Sequence, residues 1–108
     1  MGALSDVVER VLGVETKTRD WIADVSTIPS RILTNNPDRL EVVIVNSSAN
    51  NAYLGLTSDV AVGKGLVVPN GNGSVVLTAR DDGEMVGREW WVVSDAAIQL
   101  YVLVLEAK

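Results

Sequence analysis

Leu40-Glu41-Val42-Val43-Ile44-Val45-Asn46-Ser47 is the stretch that decides the fold. Its β-branched centre, Val42 to Val45, is stiff at χ1 and packs well on a pleated surface, so the stretch predicts a strand. Side chains alternate across a strand. One face here is Leu40, Val42 and Ile44; the other is Glu41, Val43 and Val45. A strand with one face in water alternates apolar with polar, whereas this one is apolar on both. The last expected strand, 98–106, has the same character. Ile98, Leu100, Val102 and Val104 stand against Gln99, Tyr101, Leu103 and Leu105.

Working outward, the chain from residue 15 on reads as strand and turn. Val occurs 19 times and Ile 5 times, a weight of β-branched residues that favours strands. Strands are expected at 16–25, 31–34, 40–47, 52–56, 65–68, 74–79, 88–94 and 98–106. Asn35-Asn36-Pro37-Asp38, Ser48-Ala49-Asn50-Asn51, Pro69-Asn70-Gly71-Asn72-Gly73, Asp81-Asp82-Gly83 and Ser94-Asp95 separate them as turns. Short strands at this spacing, with no helices between them, predict an all-β fold. It is an antiparallel β-sandwich or jelly-roll-like barrel of about seven or eight strands. One segment differs. Leu4, Val7, Val8, Val11 and Leu12 recur at helical spacing. Ser5 or Asp6 is placed to cap this short amphipathic N-terminal helix and Gly13 to end it. The expected organisation is a helical arm, 1–14, and a β-sandwich domain, 15–108.

Composition narrows function. A chain of 108 residues fits one domain. It has no room for a (β/α)₈ barrel or a full dinucleotide-binding domain. The formal net charge of −5 disfavours phosphate backbones, so no nucleic-acid partner is expected. With no Cys and no His, thiol nucleophiles, disulfides, Cys/His zinc sites and imidazole bases are excluded. No apolar stretch approaches membrane-spanning length, and no membrane partner is expected. Residues 1–13 lack a basic region followed by an apolar run, so no secretory signal is expected.

The remaining routes to chemistry are carboxylates. Asp81, Asp82 and Glu84 around Gly83 could hold Ca²⁺ through oxygen ligands, but Asp-Gly is also an ordinary turn signal, and the turn is favoured. Asp20 and Asp24 flank Trp21 and could work on a sugar; the favoured reading is a solvated strand face. Gly63-Lys64-Gly65 and Gly71-Asn72-Gly73 lack the helix and the Gly-Lys-Ser/Thr ending of a phosphate loop. Asn46-Ser47-Ser48 and Asn72-Gly73-Ser74 match the glycosylation pattern by chance. No catalytic residue, metal or cofactor is expected. The two-sided apolar strands need cover instead, from the N-terminal helix, a neighbouring copy, or both. The candidate assembly interface is Leu4, Val7, Val8, Val11 and Leu12 with the adjacent Trp90 and Trp91, and a homo-oligomer is expected.

The run Asn36-Pro37-Asp38-Arg39, the apolar strand ending in Asn46, the segment Tyr53-Leu54-Gly55, and Gly65-Leu66-Val67-Val68-Pro69-Asn70-Gly71 resemble small β-sandwich virion proteins of tailed phages and related viruses. The resemblance covers about residues 31–106. Two features depart from it: Pro69 to Gly73 stretches the usual Pro-Gly turn, and the N-terminal helix lies outside it. It implies a non-enzymatic capsid decoration, minor capsid or tail component, partnered by itself and other virion proteins. The expected location is the virion, after synthesis in the host cytoplasm. A lectin-like carbohydrate-binding module is the alternative, with Asn50, Asn51 or Asp95 beside an exposed aromatic. A small glycosidase using Asp20 and Asp24, or Asp81 and Glu84, ranks last.

Overall fold

A computed structural model describes residues 16–107. The expected N-terminal helix, with Leu4, Val7, Val8, Val11 and Leu12, lies outside the described residues. The strands are β1 (Thr16–Val25), β2 (Ser30–Leu33), β3 (Arg39–Asn46), β4 (Ala52–Gly55), β5 (Leu66–Val68), β6 (Gly73–Thr78), β7 (Trp90–Ser94) and β8 (Ile98–Ala107). They form two antiparallel sheets, β1-β8-β3-β6 and β2-β7-β4-β5. The sheets pack face to face.

Between them lies an aliphatic core. The first sheet contributes Val25, Val42, Ile44, Leu77, Ile98, Leu100, Val102 and Val104; the second contributes Leu33, Ala52, Leu54, Val68, Trp90 and Val92. With no Phe in the chain, Trp90 is the large aromatic that seals one end. It is 4% exposed, and its indole N–H donates to the Met85 carbonyl at 3.0 Å. Each buried Val or Leu side chain contributes about 1.5–3 kcal/mol relative to exposure.

β3 carries a polar anchor at each end. At its start, Arg39 is 2% exposed. Its guanidinium donates to the carbonyls of Thr34, Val86 and Arg88 at 2.7, 3.1 and 3.1 Å. Thr34 follows β2 and Arg88 precedes β7, so an arginine of one sheet holds two strands of the other. Burial pulls this guanidinium below its ordinary value, Glu106 pulls it back up, and Arg19 lowers it. At the far end Asn46 is fully buried. Its side-chain NH₂ donates to Asn50 and Val68 carbonyls at 2.8 and 3.0 Å. Its side-chain oxygen accepts from the Ser48 N–H and hydroxyl at 3.0 and 2.7 Å. A side chain so occupied has no surface for a glycan, whatever the pattern around it.

Asp81-Asp82-Gly83 is not the tight turn between strands that the sequence predicts. A helical turn, α1 (Ala79–Asp82), is followed by a 3-10 turn, Gly83–Gly87. The reason is topological. β6 and β7 belong to different sheets, so the connection must cross the end of the sandwich. Thr78 caps α1 by accepting from the Asp81 N–H at 3.0 Å, and Asp82 accepts the Thr78 N–H at 2.8 Å. The Asn-Gly tip at 70–73 does hold positive φ, at Gly71 (66°) and Asn72 (72°).

The β4–β5 connection folds back on its own sheet. Gly55 faces outward, and a Cβ there would stand 2.8 Å from Val60 Cβ. Val60, 5% exposed, rests where that side chain would be. Two outcomes follow. Asn46→Leu fills the volume but strands the carbonyls it served. It is expected to lower unfolding free energy by about 2–3 kcal/mol in denaturant titration, with an unchanged m-value. Gly55→Val displaces Val60 and is expected to cost about 1–3 kcal/mol by overpacking.

Candidate assembly surfaces

The outer face of the β1-β8-β3-β6 sheet is built in ranks across the strands. Thr18, Leu105, Glu41 and Thr78 form one rank; Asp20, Leu103, Val43 and Val76 the next; Ile22, Tyr101, Val45 and Ser74 the third. Asp24 and Gln99 continue it on β1 and β8. Exposure rises along the ranks. Leu105 is 1% and Leu103 8% exposed, whereas Tyr101 is 38% and Ile22 56%. Val76, on the β6 edge, is 51% exposed.

Polar groups on this face are mostly paired. The Tyr101 hydroxyl donates to Asp20 at 2.9 Å, and the Gln99 amide donates to Asp24 at 3.0 Å. The hydrogen bond to Asp20 raises the Tyr101 phenol. Burial raises the Glu41 carboxyl above the ordinary carboxylate range. On the inward side of the same strands, at the β1–β8 end, Glu106, 4% exposed, takes Arg19 from Nε at 3.0 Å and lies 3.8 Å from the Lys17 ammonium. The Arg19 guanidinium also sits 5.5 Å from the centre of the Trp21 ring.

The outer face of the other sheet is tied by a short chain of groups. Arg31 donates to Glu89 at 3.0 Å, and the Trp91 indole N–H donates to the other Glu89 oxygen at 3.0 Å. The Trp91 hydrogen bond, then Arg31, lowers the Glu89 carboxyl. The β5 edge leaves Leu66 and Val67 at 43% and 41% exposure. Ile28, in the β1–β2 connection, is 73% exposed.

The expected site residues separate. Trp90 is spent inside the core and has no surface to offer a partner. Trp90 points between the sheets, and its neighbour Trp91 points outward. Asp20 and Asp24 do share the solvated outer face. They are four residues apart on one strand, about 13 Å at 3.3 Å per residue. Glycosidase carboxylates stand about 5–9.5 Å apart. Asp82 is committed to the α1 cap, and Glu84 pairs with Arg88 at 3.3 Å. Among the described residues no cluster of three or more His, Cys, Asp or Glu could hold a metal ion. Asn50 and Asn51 hold loops: the Asn50 carbonyl accepts from Asn46 and Ser48, and the Asn51 side chain accepts from the Asn70 N–H at 2.9 Å. Sequence reasoning passed over Ile22, although it breaks the polar row Asp20, Ile22, Asp24 at strict two-residue spacing.

Glu41 gives a pH signature. The folded protein holds its proton more tightly than the unfolded chain. That contribution to stability is full below the ordinary carboxylate pKa, about 4.3, and is lost as pH rises through the folded value. Glu41→Gln is therefore expected to raise the thermal midpoint at pH 7 slightly and to leave it unchanged at pH 3. Thermal unfolding of both proteins at the two pH values checks this.

No protein-family model matches the chain, and no curated protein matches it. Among the solved structures that match are two of bacterial proteins. One comes from work on Bacillus endospore appendages, described as a family of disulfide-linked pili. It shares 10% identity, with 87% of this chain and 88% of that chain covered, at a TM-score of 0.53. The other is Aeromonas hydrophila PliG, a periplasmic inhibitor of g-type lysozyme. It shares 11% identity over 90% of each chain, at a TM-score of 0.35. The first likeness is one of fold alone.

Proposed function

We propose that the protein is a non-enzymatic structural subunit that works by associating with copies of itself and with other virion proteins. The observation that carries this is apolar surface left outside a complete core. Ile22, Ile28, Leu66, Val67 and Val76 are all more than 40% exposed, on edges and faces where a neighbouring subunit can reach them. The proposed interface also takes in Trp91 and, from the sequence, the row Leu4, Val7, Val8, Val11 and Leu12.

The strand orders β1-β8-β3-β6 and β2-β7-β4-β5 support reading the fold as an eight-stranded jelly roll. The chain divides into an arm, 1–14, and a sandwich domain, 15–108. The resemblance of residues 31–106 to phage virion sandwiches supports a capsid decoration, minor capsid or tail role, with the virion as location. The pilus subunit of similar fold comes from a disulfide-linked assembly. This chain has no cysteine, so its association rests on non-covalent contacts, made strong by repetition.

A carbohydrate-binding role has one observation in its favour. An open groove lined by Asp24, Ser26, Ser30, Ser47, Ser48 and Gln99 lies one rank from the exposed Tyr101. Light scattering on the full chain over a concentration series separates the readings. Association into a discrete oligomer, reduced toward the 11.6 kDa monomer by the pair Ile22→Lys and Val67→Lys, is expected. A wild-type monomer at every concentration, with fluorescence quenched by added glycans, would favour the second reading.

A further inference from the structure

Among the described residues each sheet ends in two edge strands, β1 and β6 in the first, β2 and β5 in the second. Edges are ordinarily guarded by charge, proline, a bulge or shortness. β1 carries Lys17, Arg19, Asp20 and Asp24. β2 follows Pro29, carries Arg31, and breaks register between Arg31 and Leu33. β5 is three residues long and runs into Pro69. β6 has none of these guards. Gly73-Ser74-Val75-Val76-Leu77-Thr78 holds no charge and no proline, and it keeps one register with β3 from end to end. The uncharged run extends from Gly65 to Ala79, in a chain that is 21% charged. It takes in β5 as well, so one flank of the sandwich is neutral while the β1–β2 flank is charged.

The free groups of β6 can be placed. In an antiparallel ladder the N–H and C=O of a hydrogen-bonded residue both point to one neighbour strand, and those of the next residue point the other way. Thr78 stands opposite Glu41, yet its N–H donates to the Asp82 carboxylate at 2.8 Å and not to β3. Counting back by two, the N–H and C=O of Val76 and Ser74 also point away from β3. Both residues are exposed, Val76 at 51%. Between them Val75 turns inward onto the core and is only half-buried there.

We infer that β6 pairs antiparallel with β6 of a second copy across a two-fold axis, joining two four-stranded sheets into one. Ser74 stands opposite Val76 of the second copy, Val76 opposite its Ser74, and each pair exchanges both backbone bonds. Val75 meets Val75 of the second copy at the axis, which covers the side chain that the sandwich leaves half open. This register uses the free groups and leaves Thr78 to Asp82. The occupant is a second copy because the strand is its own complement: a two-fold repeats every contact, and no charge between residues 65 and 79 meets its like. The other three edges of a copy are closed by their guards. The inference rests on the assembly reading and names the surface it uses.

Amide hydrogen exchange of the full chain, read residue by residue beside light scattering over a concentration series, tests it. As mass rises above the 11.6 kDa monomer, exchange at Ser74 and Val76 is expected to slow by about tenfold or more. The Thr78 amide, already bonded to Asp82, is expected to change little. Val76→Pro removes an N–H that β3 does not use, as an edge strand permits, and is expected to weaken association by at least about tenfold. Val76→Thr keeps that N–H and is expected to associate like the parent chain. An oligomer whose Ser74 and Val76 amides exchange freely overturns the inference and leaves the assembly reading standing, as does protection that is the same at every concentration in a chain that associates. A monomer at every concentration overturns both. The exchange of the parent chain decides even where Val76→Pro fails to fold.

Discussion

The strand β3 is held at both ends by polar side chains that are themselves out of water, and the two sheets keep their register through it. Arg39 is the more demanding of the two. Its guanidinium is 2% exposed and serves three carbonyls that no strand ladder reaches. A planar, permanently charged fork is suited to converge on several carbonyls at fixed angles, where an ammonium would act as a point charge. Glu106, buried nearby on β8, raises the guanidinium against the cost of burial. Arg19 and Lys17 balance Glu106 from the surface. The ion group matters less for its own energy than for what its loss leaves behind: buried charge and buried carbonyls without partners.

Asn46 does the same with neutral chemistry. Its amide joins the end of β3 to the β5 carbonyl of Val68 and to the loop that leads into β4. The two anchors sit outside a span whose inward residues, Val42 and Ile44, are fully buried. Hydrophobic burial supplies the larger free energy, but it is non-directional. An aliphatic core with no Phe and one buried Trp could slide between registers. Directional hydrogen bonds at the two ends of a central strand fix one of them.

The strands were legible because their signal is local. Thr16–Val25 has the expected bounds, and the other strands differ by one or two residues. The roles of Arg39 and Asn46 were not legible, although both lie inside the motifs that suggested a virion sandwich. Their partners are far away in sequence, at Val86, Arg88 and Val68, and nothing in the local pattern marks a buried arginine. Asp81-Asp82-Gly83 shows the opposite error. Its residues do suit a tight turn, but β6 and β7 fall in different sheets, so topology overrode local chemistry. Trp90 and Trp91 are adjacent in β7, so strand alternation turns them to opposite faces. Which one pointed inward depended on the register against β2 and β4, and that register is set by contacts the sequence does not display.

The two strands that read as apolar on both faces prove to be neighbours. β8 and β3 are the two central strands of one sheet. The edge strand β1 carries Thr18, Asp20 and Asp24 on its outer side, the polar guard expected of an edge. Along β8 the outer face changes from Leu105 and Leu103 to Tyr101 and Gln99, and exposure changes with it. Two-sidedness is therefore not surplus hydrophobicity spread over the domain. It marks one patch at the centre of one sheet, and it ends where the water begins. A patch so bounded gives way to polar residues at its margin, at Ser74 on β6 and Gln99 on β8. The exposed apolar side chains lie at the rim: Ile28 in the β1–β2 connection, Ile22 in the open rank, and Leu66 and Val67 on the β5 edge. These belong to different sides of the sandwich, an arrangement that lets one subunit touch more than one neighbour.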